Sequence, residues 1–435
     1  MELGIILAGG KGSRMGTSKP KGSVVLIDKA MIEYVYDNLS RVCNKVMCVV
    51  GYRSEEIYSV LKDKVEYAFQ EKQLGTFDAL KCVISKLDNI DNIIVTMCDL
   101  PLIDSKVYND LLIKHIKSDD DITITTMVVD KPYGYGRVIG GKIIEECMLD
   151  GKTSNEVFAG VMAIKVDYLL KVLDNVKPNN PKKEYFITDL CFYTNNVGFL
   201  LINPKKGYGV NDLKSLNKAV SILNENKKEL LLDSGVIING ESLIGTDVVI
   251  GEGTVIYQGC YICGKTKIGK NNVIGPNSII EDCIIGDNNK IEASKLINSK
   301  IMNNINIGPF AHIRDEAIIL GDNRIGNFVE IKKSIVGRFS KLSHLSYMGD
   351  TTCGKNVNFG CGAITVNYDG KNKHHTTIGD NAFIGSNSNL IAPIEIKKGS
   401  LVGAGSTIYE DVEEDSLAIA RSYQINKNNL EYIKK

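Results

Sequence analysis

The spacing of apolar residues changes character midway along the chain. From Leu3 to about Lys206, short apolar runs alternate with stretches whose apolar residues return every three or four positions. Gly4-Ile5-Ile6-Leu7 is one such run, ending close to glycines; Val46-Met47-Cys48-Val49-Val50 is a second and Ile93-Ile94-Val95-Thr96-Met97 a third. Uninterrupted runs of this length predict strands buried on both faces. Between them Ile32, Val35, Tyr36, Leu39 and Val42, then Ile57, Val60 and Leu61, then Leu80, Val83, Ile84 and Leu87 fall at helical spacing. Strands separated by helices predict a parallel sheet with helices on both faces, and ligands beyond the carboxyl ends of its strands. The residues just after Leu7 and Met97 are therefore the first candidates for a site.

After Asn211, Leu213, Leu216, Val220 and Leu223 form the apolar stripe of a helix predicted to join two domains. Beyond Gly235 the period becomes six. Ile244, Ile250, Ile256, Ile262, Ile268, Ile274 and Ile280 keep it without a miss, and Ile307, Ile313, Ile319, Ile325 and Ile331 resume it after what reads as a one-residue slip. Ile378, Ile384, Leu390, Ile396, Val402 and Ile408 form a third run. Neither an α-helix nor a hairpin sheet has this period. It is the signature of a hexapeptide solenoid, in which each aliphatic residue points inward and small residues turn the corners. The pattern resembles the left-handed parallel β-helix, an exception to the usual handedness of parallel crossovers. The rhythm fails between Phe359 and Ile378, predicting a loop that carries Asn367-Tyr368-Asp369-Gly370 and His374-His375. The fold expected is α/β: a Rossmann-like domain over 1–207, a helical linker over 208–234, and a β-helix over 235–435.

Composition narrows the partners. A chain of 435 residues with 43% apolar content is too long for one compact core. Its 52 basic and 52 acidic residues cancel, leaving no net field to recruit nucleic acid or an anionic membrane. No apolar run is long enough to span a bilayer, and Met1-Glu2-Leu3-Gly4 does not lead into a secretory signal. Eleven cysteines without framework spacing fit a reducing cytoplasm. Cys260 and Cys263 form one CxxC with no second pair to complete a zinc site, and read as small residues of the solenoid. Composition alone predicts a soluble, cytoplasmic, two-domain protein.

The loop after the first strand, Leu7-Ala8-Gly9-Gly10-Lys11-Gly12-Ser13-Arg14-Met15, supplies glycines for backbone approach to an anion, with Arg14 and Lys21 to neutralise phosphate. It is neither a Walker A loop nor a GxGxxG fingerprint. Cys98-Asp99-Leu100-Pro101-Leu102 places a carboxylate at a strand end, where a cation bridging phosphates would sit. Gln73-Leu74-Gly75-Thr76, Gly134-Tyr135-Gly136-Arg137, Glu184-Tyr185-Phe186-Ile187-Thr188-Asp189 and Gly209-Val210-Asn211 extend the set. Together, in this order, these segments resemble the sugar-1-phosphate nucleotidyltransferases. The solenoid carries a second ordered set: Arg314, Gly326-Asn327-Phe328-Val329-Glu330-Ile331-Lys332-Lys333, His344-Leu345-Ser346-Tyr347-Met348-Gly349-Asp350, Asn358, Asn367-Tyr368-Asp369-Gly370 and Lys373. With it, nearly the full length resembles the bifunctional N-acetylglucosamine-1-phosphate uridylyltransferase / glucosamine-1-phosphate N-acetyltransferase family.

That resemblance implies two sites. In the first domain, Leu7, Ala8, Gly9, Gly10, Lys21, Gln73, Gly75 and Thr76 would bind UTP. Gly136, Glu145 and Phe158 would meet the sugar phosphate, Asp99 and Asn211 would hold Mg²⁺, and Arg14 and Lys21 would stabilise the leaving group. In the second, His344 would be the general base toward the sugar amine. Arg314, Lys332, Tyr347, Asn358 and Lys373 would hold the sugar phosphate, while Cys361, Asn367, Tyr368, Ser386, Ala404 and Arg421 would line the acetyl-CoA site. The resemblance also implies a homotrimer assembled through the β-helix. His312, His374 and His375 lack matching partners and read as structural.

Three positions depart from the family pattern. Where it has Glu-x-Asn-x-Gly this chain has Glu156-Val157-Phe158-Ala159-Gly160, Cys98 replaces a glycine before the aspartate, and Asp315 replaces a proline after Arg314. Two further assignments accommodate the first pair: a first domain that takes another sugar phosphate or nucleotide, or one that is an inactive nucleotide-binding regulatory module. A purely structural solenoid is the remotest, because hexapeptide repeats alone do not require Arg314, Lys332, His344 and Lys373.

Overall fold

The computed structural model describes residues 1–12, 15, 16 and 19–426. Contacts divide the chain into two compact units, Met1–Leu223 and Asn224–Lys435.

The first unit is built on a nine-stranded sheet of β1 (Glu2–Ala8), β2 (Lys45–Val50), β3 (Glu66–Phe69), β4 (Asn92–Met97), β5 (Ile122–Val128), β6 (Arg137–Ile139), β7 (Lys142–Ile144), β8 (Glu156–Lys165) and β9 (Val197–Leu201). Its helices are α1 (Met31–Leu39), α2 (Ser54–Leu61), α3 (Thr76–Lys81), α4 (Ser105–Ser118) and α5 (Val166–Val172), followed by α6 (Leu213–Asp233). The strand order is β9-β5-β8-β4-β1-β2-β3, with β6 pairing β8 and β7. Leu7 lies opposite both Val49 and Met97, so β1, β2 and β4 end together and their loops share one edge. Both faces are covered: Ile5, Leu7 and Val49 pack with Phe77 of α3 and Leu169 of α5, while Ile6, Ala8 and Cys48 pack with Ile32 of α1, Ile57 of α2 and Leu111 of α4.

Two expectations need correction here. The sheet is not wholly parallel, because β8 runs antiparallel to both β4 and β5. It is reached from β6 and β7 by short reversals, and antiparallel pairing needs no helical crossover. The helix expected through Leu80 to Leu87 is broken as well, with α3 stopping at Lys81 before a 3₁₀ turn at Ile84–Lys86. Leu80, Val83 and Leu87 are nonetheless all buried, so the apolar pattern recorded burial correctly and helix length incorrectly. The joining helix α6 belongs to both units. Ala219, Ile222 and Leu223 pack with Leu26, Met31 and Val210 in the first, whereas Leu231 packs with Val236 and Ile244 in the second.

The second unit is the left-handed parallel β-helix. Ile250 lies opposite Ile268, Ile256 opposite Ile274 and Ile262 opposite Ile280, so a turn is eighteen residues in three six-residue sides. The single slip inferred between Ile280 and Ile307 is in fact three shortened sides. The inward residues run Ile285, Ile291, Leu296, Ile301, and the gaps before Ile285, Leu296 and Ile301 are five residues rather than six. Corners at Asn271, Asn277, Asn288 and Asn304 have positive φ, a conformation asparagine tolerates better than most residues. Inside one corner, buried Asn272 donates to the Gly286 carbonyl at 2.9 Å and accepts from the Asn289 N–H at 2.8 Å. The expected interruption is a hairpin-like loop: Cys353 pairs with Ile378 twenty-five residues on, and Tyr368 bridges Lys373. Among the described residues, no helix is long and apolar enough to cross a membrane.

Candidate active sites

The shared edge of β1, β2 and β4 opens onto a cleft of about 520 Å³. Leu7, Gly9, Gly10, Lys21, Gln73, Gly75, Thr76, Asp99, Gly136, Glu145, Phe158 and Asn211 all line it, while Ala8 faces the core. Arg14 lies outside the described residues. Lys21 opens a 3₁₀ turn (Lys21–Ser23), and its ammonium bonds the Asp99 carboxylate and, at 2.8 Å, the Asn211 side-chain oxygen. Asp99 follows the end of β4, and its carbonyl accepts from the Val210 N–H at 2.9 Å, which fixes Asn211 beside it. These two hard oxygens already hold one cation. They suit a divalent ion that takes few protein ligands and fills its remaining positions with phosphate and water.

The opposite wall turns at Gly75. Its φ is +128°, and a Cβ there would lie 2.4 Å from the Tyr185 carbonyl oxygen, so only glycine permits this approach. The contact is locked by Phe77 N–H donating to that carbonyl at 2.9 Å and by Ile187 N–H donating to Thr76 Oγ1 at 2.9 Å. Gln70, unnoticed in the sequence, is buried in the same wall, with Nε2 donating to the Gly75 carbonyl and to Asp78. The signal was a polar residue directly after a strand too short to stand out.

At the far end Glu145 accepts from Thr188 Oγ1 at 2.7 Å. Burial pushes the Glu145 carboxyl up, and burial together with the Glu145 charge raises Asp189 to about 6. Phe158 is half-buried, its N–H donating to the Gly136 carbonyl at 2.9 Å while its side chain packs against the β1–α3 core. It is at once a wall of the cleft and part of the core. Cys98 is buried beside Gly22, and burial raises its thiol to about 12.

On the solenoid, functional candidates recur one turn apart. Asn327 lies opposite His344, Arg314 opposite Lys332, and Glu330 opposite Tyr347. His344 Nδ1 lies 3.0 Å from Asn327 Oδ1. The Arg314 guanidinium is shared between Glu330 at 2.8 Å and Asp315 at 2.7 Å. Lys332 is 3.6 Å from Asp350, which also accepts from buried Asn367, and Asn367 reaches the Tyr347 hydroxyl at 3.4 Å. Lys373 sits in the interrupting loop, 4.3 Å over the Tyr368 ring. Asn358 is half-buried opposite Lys341, outside this network.

The partners Asn327, Glu330 and Asp350 carried no assigned role in the sequence. Each lies sixteen to eighteen residues from the side chain it meets, so the repeat itself held the signal. The same stacking carries one corner onward from His344, with the step from Cys361 to Ser386 lengthened to twenty-five residues by the interrupting loop. Gly362 N–H bonds the Leu345 carbonyl, Asn387 that of Cys361 and Gly405 that of Ser386, placing His344, Cys361, Ser386 and Ala404 on successive turns. Cys361, Ser386, Ala404 and Arg421 are exposed. His374 pairs with Asp369 at 2.7 Å within the loop, and His375 with Thr352 of the preceding turn at 3.0 Å. His312 lies opposite Glu330 in register.

Known proteins match in both units. Residues 4–145 match the MobA-like NTP transferase domain, and residues 265–299 and 375–410 match the bacterial transferase hexapeptide of six repeats. The chain is 41% identical over 447 residues to the bifunctional protein GlmU of Carboxydothermus hydrogenoformans, covering 99% of this chain and 100% of that one. It is 42% identical over 442 residues to the protein of that name from a Geobacillus species, covering 98% and 96% of the two chains. The Thermoanaerobacter pseudethanolicus protein of the same name is 42% identical over 438 residues, with 97% and 96% covered.

Proposed function

The chain belongs to the GlmU family of bifunctional acetyltransferase–uridylyltransferases that synthesise UDP-N-acetylglucosamine, and from that premise we propose how its own residues divide the work. Family membership over the full length does not favour a first unit that is inactive or makes a different product.

In acetyl transfer, the amine of glucosamine 1-phosphate attacks the thioester carbonyl of acetyl-CoA and the CoA thiolate leaves. His344 takes the amine proton. The observation that carries this role is its contact with Asn327: in the neutral ring, an Nδ1–H donating to the amide oxygen selects the tautomer whose lone pair lies on Nε2, where it can act as base. Arg314, Lys332 and Lys373 hold the sugar phosphate, Tyr347 and Asn358 orient the sugar, and Asn367 ties Tyr347 to Asp350. The corner carrying His344, Cys361, Ser386 and Ala404 gives the extended arm of CoA a strip to follow, with neighbouring turns about 4.8 Å apart. Tyr368 and Arg421 are assigned to the same acetyl-CoA site.

In uridylyl transfer, the phosphate of N-acetylglucosamine 1-phosphate attacks the α-phosphorus of UTP and pyrophosphate departs. Leu7, Ala8, Gly9 and Gly10 present backbone to the nucleotide, and Gln73, Gly75 and Thr76 face its base. Gly136, Glu145 and Phe158 form the sugar end. Asp99 and Asn211 would hold Mg²⁺, which when bound supplies charge neutralisation for the phosphates. Lys21, with Arg14, stabilises the departing pyrophosphate.

The enzyme works in the cytoplasm as a homotrimer. Support comes from a ridge beside His344, where Phe310, Phe328 and Leu345 are 60%, 55% and 59% exposed and the two phenylalanine rings stack at 5.5 Å. A ridge of that kind suits burial against a second copy. Mixed assemblies of His344→Ala and Arg421→Ala chains should recover part of the acetyltransferase activity if a site is shared. A monomer in solution, or no complementation, would overturn the shared site. Separate assays test the division of labour: His344→Ala should lose acetyl transfer alone and Asp99→Asn uridylyl transfer alone.

A further inference from the structure

Lys21 occupies a position that the proposed uridylyltransferase site needs for something else. Its ammonium bonds both oxygens assigned above to Mg²⁺, the Asp99 carboxylate and Asn211 Oδ1. The Lys21 and Asp99 side chains are only 13% and 22% exposed, so water screens the pair poorly. Resting on the reading that Asp99 and Asn211 are the metal ligands, we propose that Lys21 is a built-in counter-cation. It closes the metal position in the empty enzyme and yields that position only when a polyphosphate draws it away.

A divalent ion approaching the empty cleft meets a positive charge already seated between its two protein ligands. Mg²⁺ gives up its water reluctantly, and two protein oxygens are poor compensation for both dehydration and repulsion from an ammonium. A nucleoside triphosphate changes both terms. Its oxygens offer Lys21 a new partner and supply the ligands that the protein lacks. The geometry allows the exchange over a short path. Gly12, in the loop proposed to cradle the phosphates, has φ +63°, and a Cβ on it would sit 2.9 Å from the Lys21 Cβ. Gly9, Gly10, Gly12, Lys21, Asp99 and Asn211 all line one cleft, so phosphates bound to the loop lie within a side-chain swing of the ammonium. By linkage, metal and nucleotide then favour each other's binding without any domain motion.

The test is metal binding itself, read from the free Mn²⁺ signal by electron paramagnetic resonance on the full-length protein, with and without UTP. Wild type should bind Mn²⁺ weakly alone and at least about tenfold more tightly with UTP. Lys21→Met should bind Mn²⁺ alone about tenfold more tightly than wild type, and the gain from UTP should shrink accordingly. If methionine does not fold, Lys21→Gln removes the charge while leaving Asp99 an amide donor, and the same shift is expected. A melting curve gives an independent readout: Mn²⁺ without UTP should raise the Tm of the variant and leave that of wild type unchanged. Asp99→Asn separates the two layers of the argument. If it abolishes UTP-dependent Mn²⁺ binding while the Lys21 variants bind Mn²⁺ alone no better than wild type, the counter-cation is overturned and the metal site stands. If Asp99→Asn leaves Mn²⁺ binding unchanged in the presence of UTP, the metal site itself is overturned.

Discussion

The cleft of the first unit and the face of the solenoid build their candidate sites with opposite geometry. The cleft gathers residues from Leu7 to Asn211, delivered by strand ends and loops that only the folded sheet brings together. Its walls are interlocked by backbone contacts such as Phe77 to Tyr185 and Val210 to Asp99. The solenoid draws its candidates from neighbouring turns, where a fixed register stacks one side chain over the next. The first site is therefore enclosed within one chain. The second lies along an exposed corner, with Cys361, Ser386, Ala404 and Arg421 open to solvent. A parallel β-helix has a filled interior and cannot fold around a ligand, so a solenoid site gains walls from a loop or from another copy.

The largest effect expected from breaking this contrast is at His344. His344→Ala should lower acetyl transfer by about 10²- to 10⁴-fold and leave uridylyl transfer intact. Two separate assays on one preparation check it, and a parallel fall in both activities would show that the units are coupled.

Acid should separate the units next. His115 is fully buried in the first unit, its Nδ1 2.9 Å from Thr123 Oγ1, and burial lowers it to about 4. The unfolded chain takes up that proton near the ordinary 6.5, so the neutral folded form is fully favoured above that pH. Stability then falls progressively toward pH 4, by roughly 3 kcal/mol in all. Denaturant melts between pH 7 and pH 4 should show this slope, and His115→Gln should flatten it. If the slope persists in the variant, another group is responsible.

Phe158 has two duties, and its replacement should report on both. Phe158→Asn removes a ring from the β1–α3 core and places an amide there, at a cost of about 1 to 3 kcal/mol. KM for N-acetylglucosamine 1-phosphate should change while KM for UTP holds. A lower Tm with an unchanged sugar KM would assign the ring to packing alone.

The smallest effect belongs to the open site. Asp315 takes one face of the Arg314 guanidinium in a half-exposed pair. Asp315→Asn should free that face for phosphate and lower the glucosamine 1-phosphate KM by about 1.5- to 5-fold, the range of an exposed ion pair, with kcat unchanged. A raised KM would show that Asp315 orients the arginine and does not compete for it.

Much of this was legible in the chain itself. The six-residue period determined the β-helix, because each inward isoleucine must meet another one turn away and no other fold repeats at that interval. Apolar runs determined β1, β2 and β4, and hence the edge where a ligand would bind, because a strand buried on both faces carries few polar residues. The glycine loop and Asp99 followed from what phosphates demand of a backbone. Tertiary structure alone decided the reversal of β8, because strand direction depends on how neighbours are connected and not on which residues are apolar. It alone broke the helix expected at Leu80–Leu87, since burial of those residues can be met by a short helix and a 3₁₀ turn. Gln70 in the wall, the grip of Lys21 on Asp99 and Asn211, and the double duty of Phe158 join residues separated by intervals with no period. A periodic fold writes its contacts into its spacing, whereas a cleft assembled from distant loops exists only after the chain has closed around it.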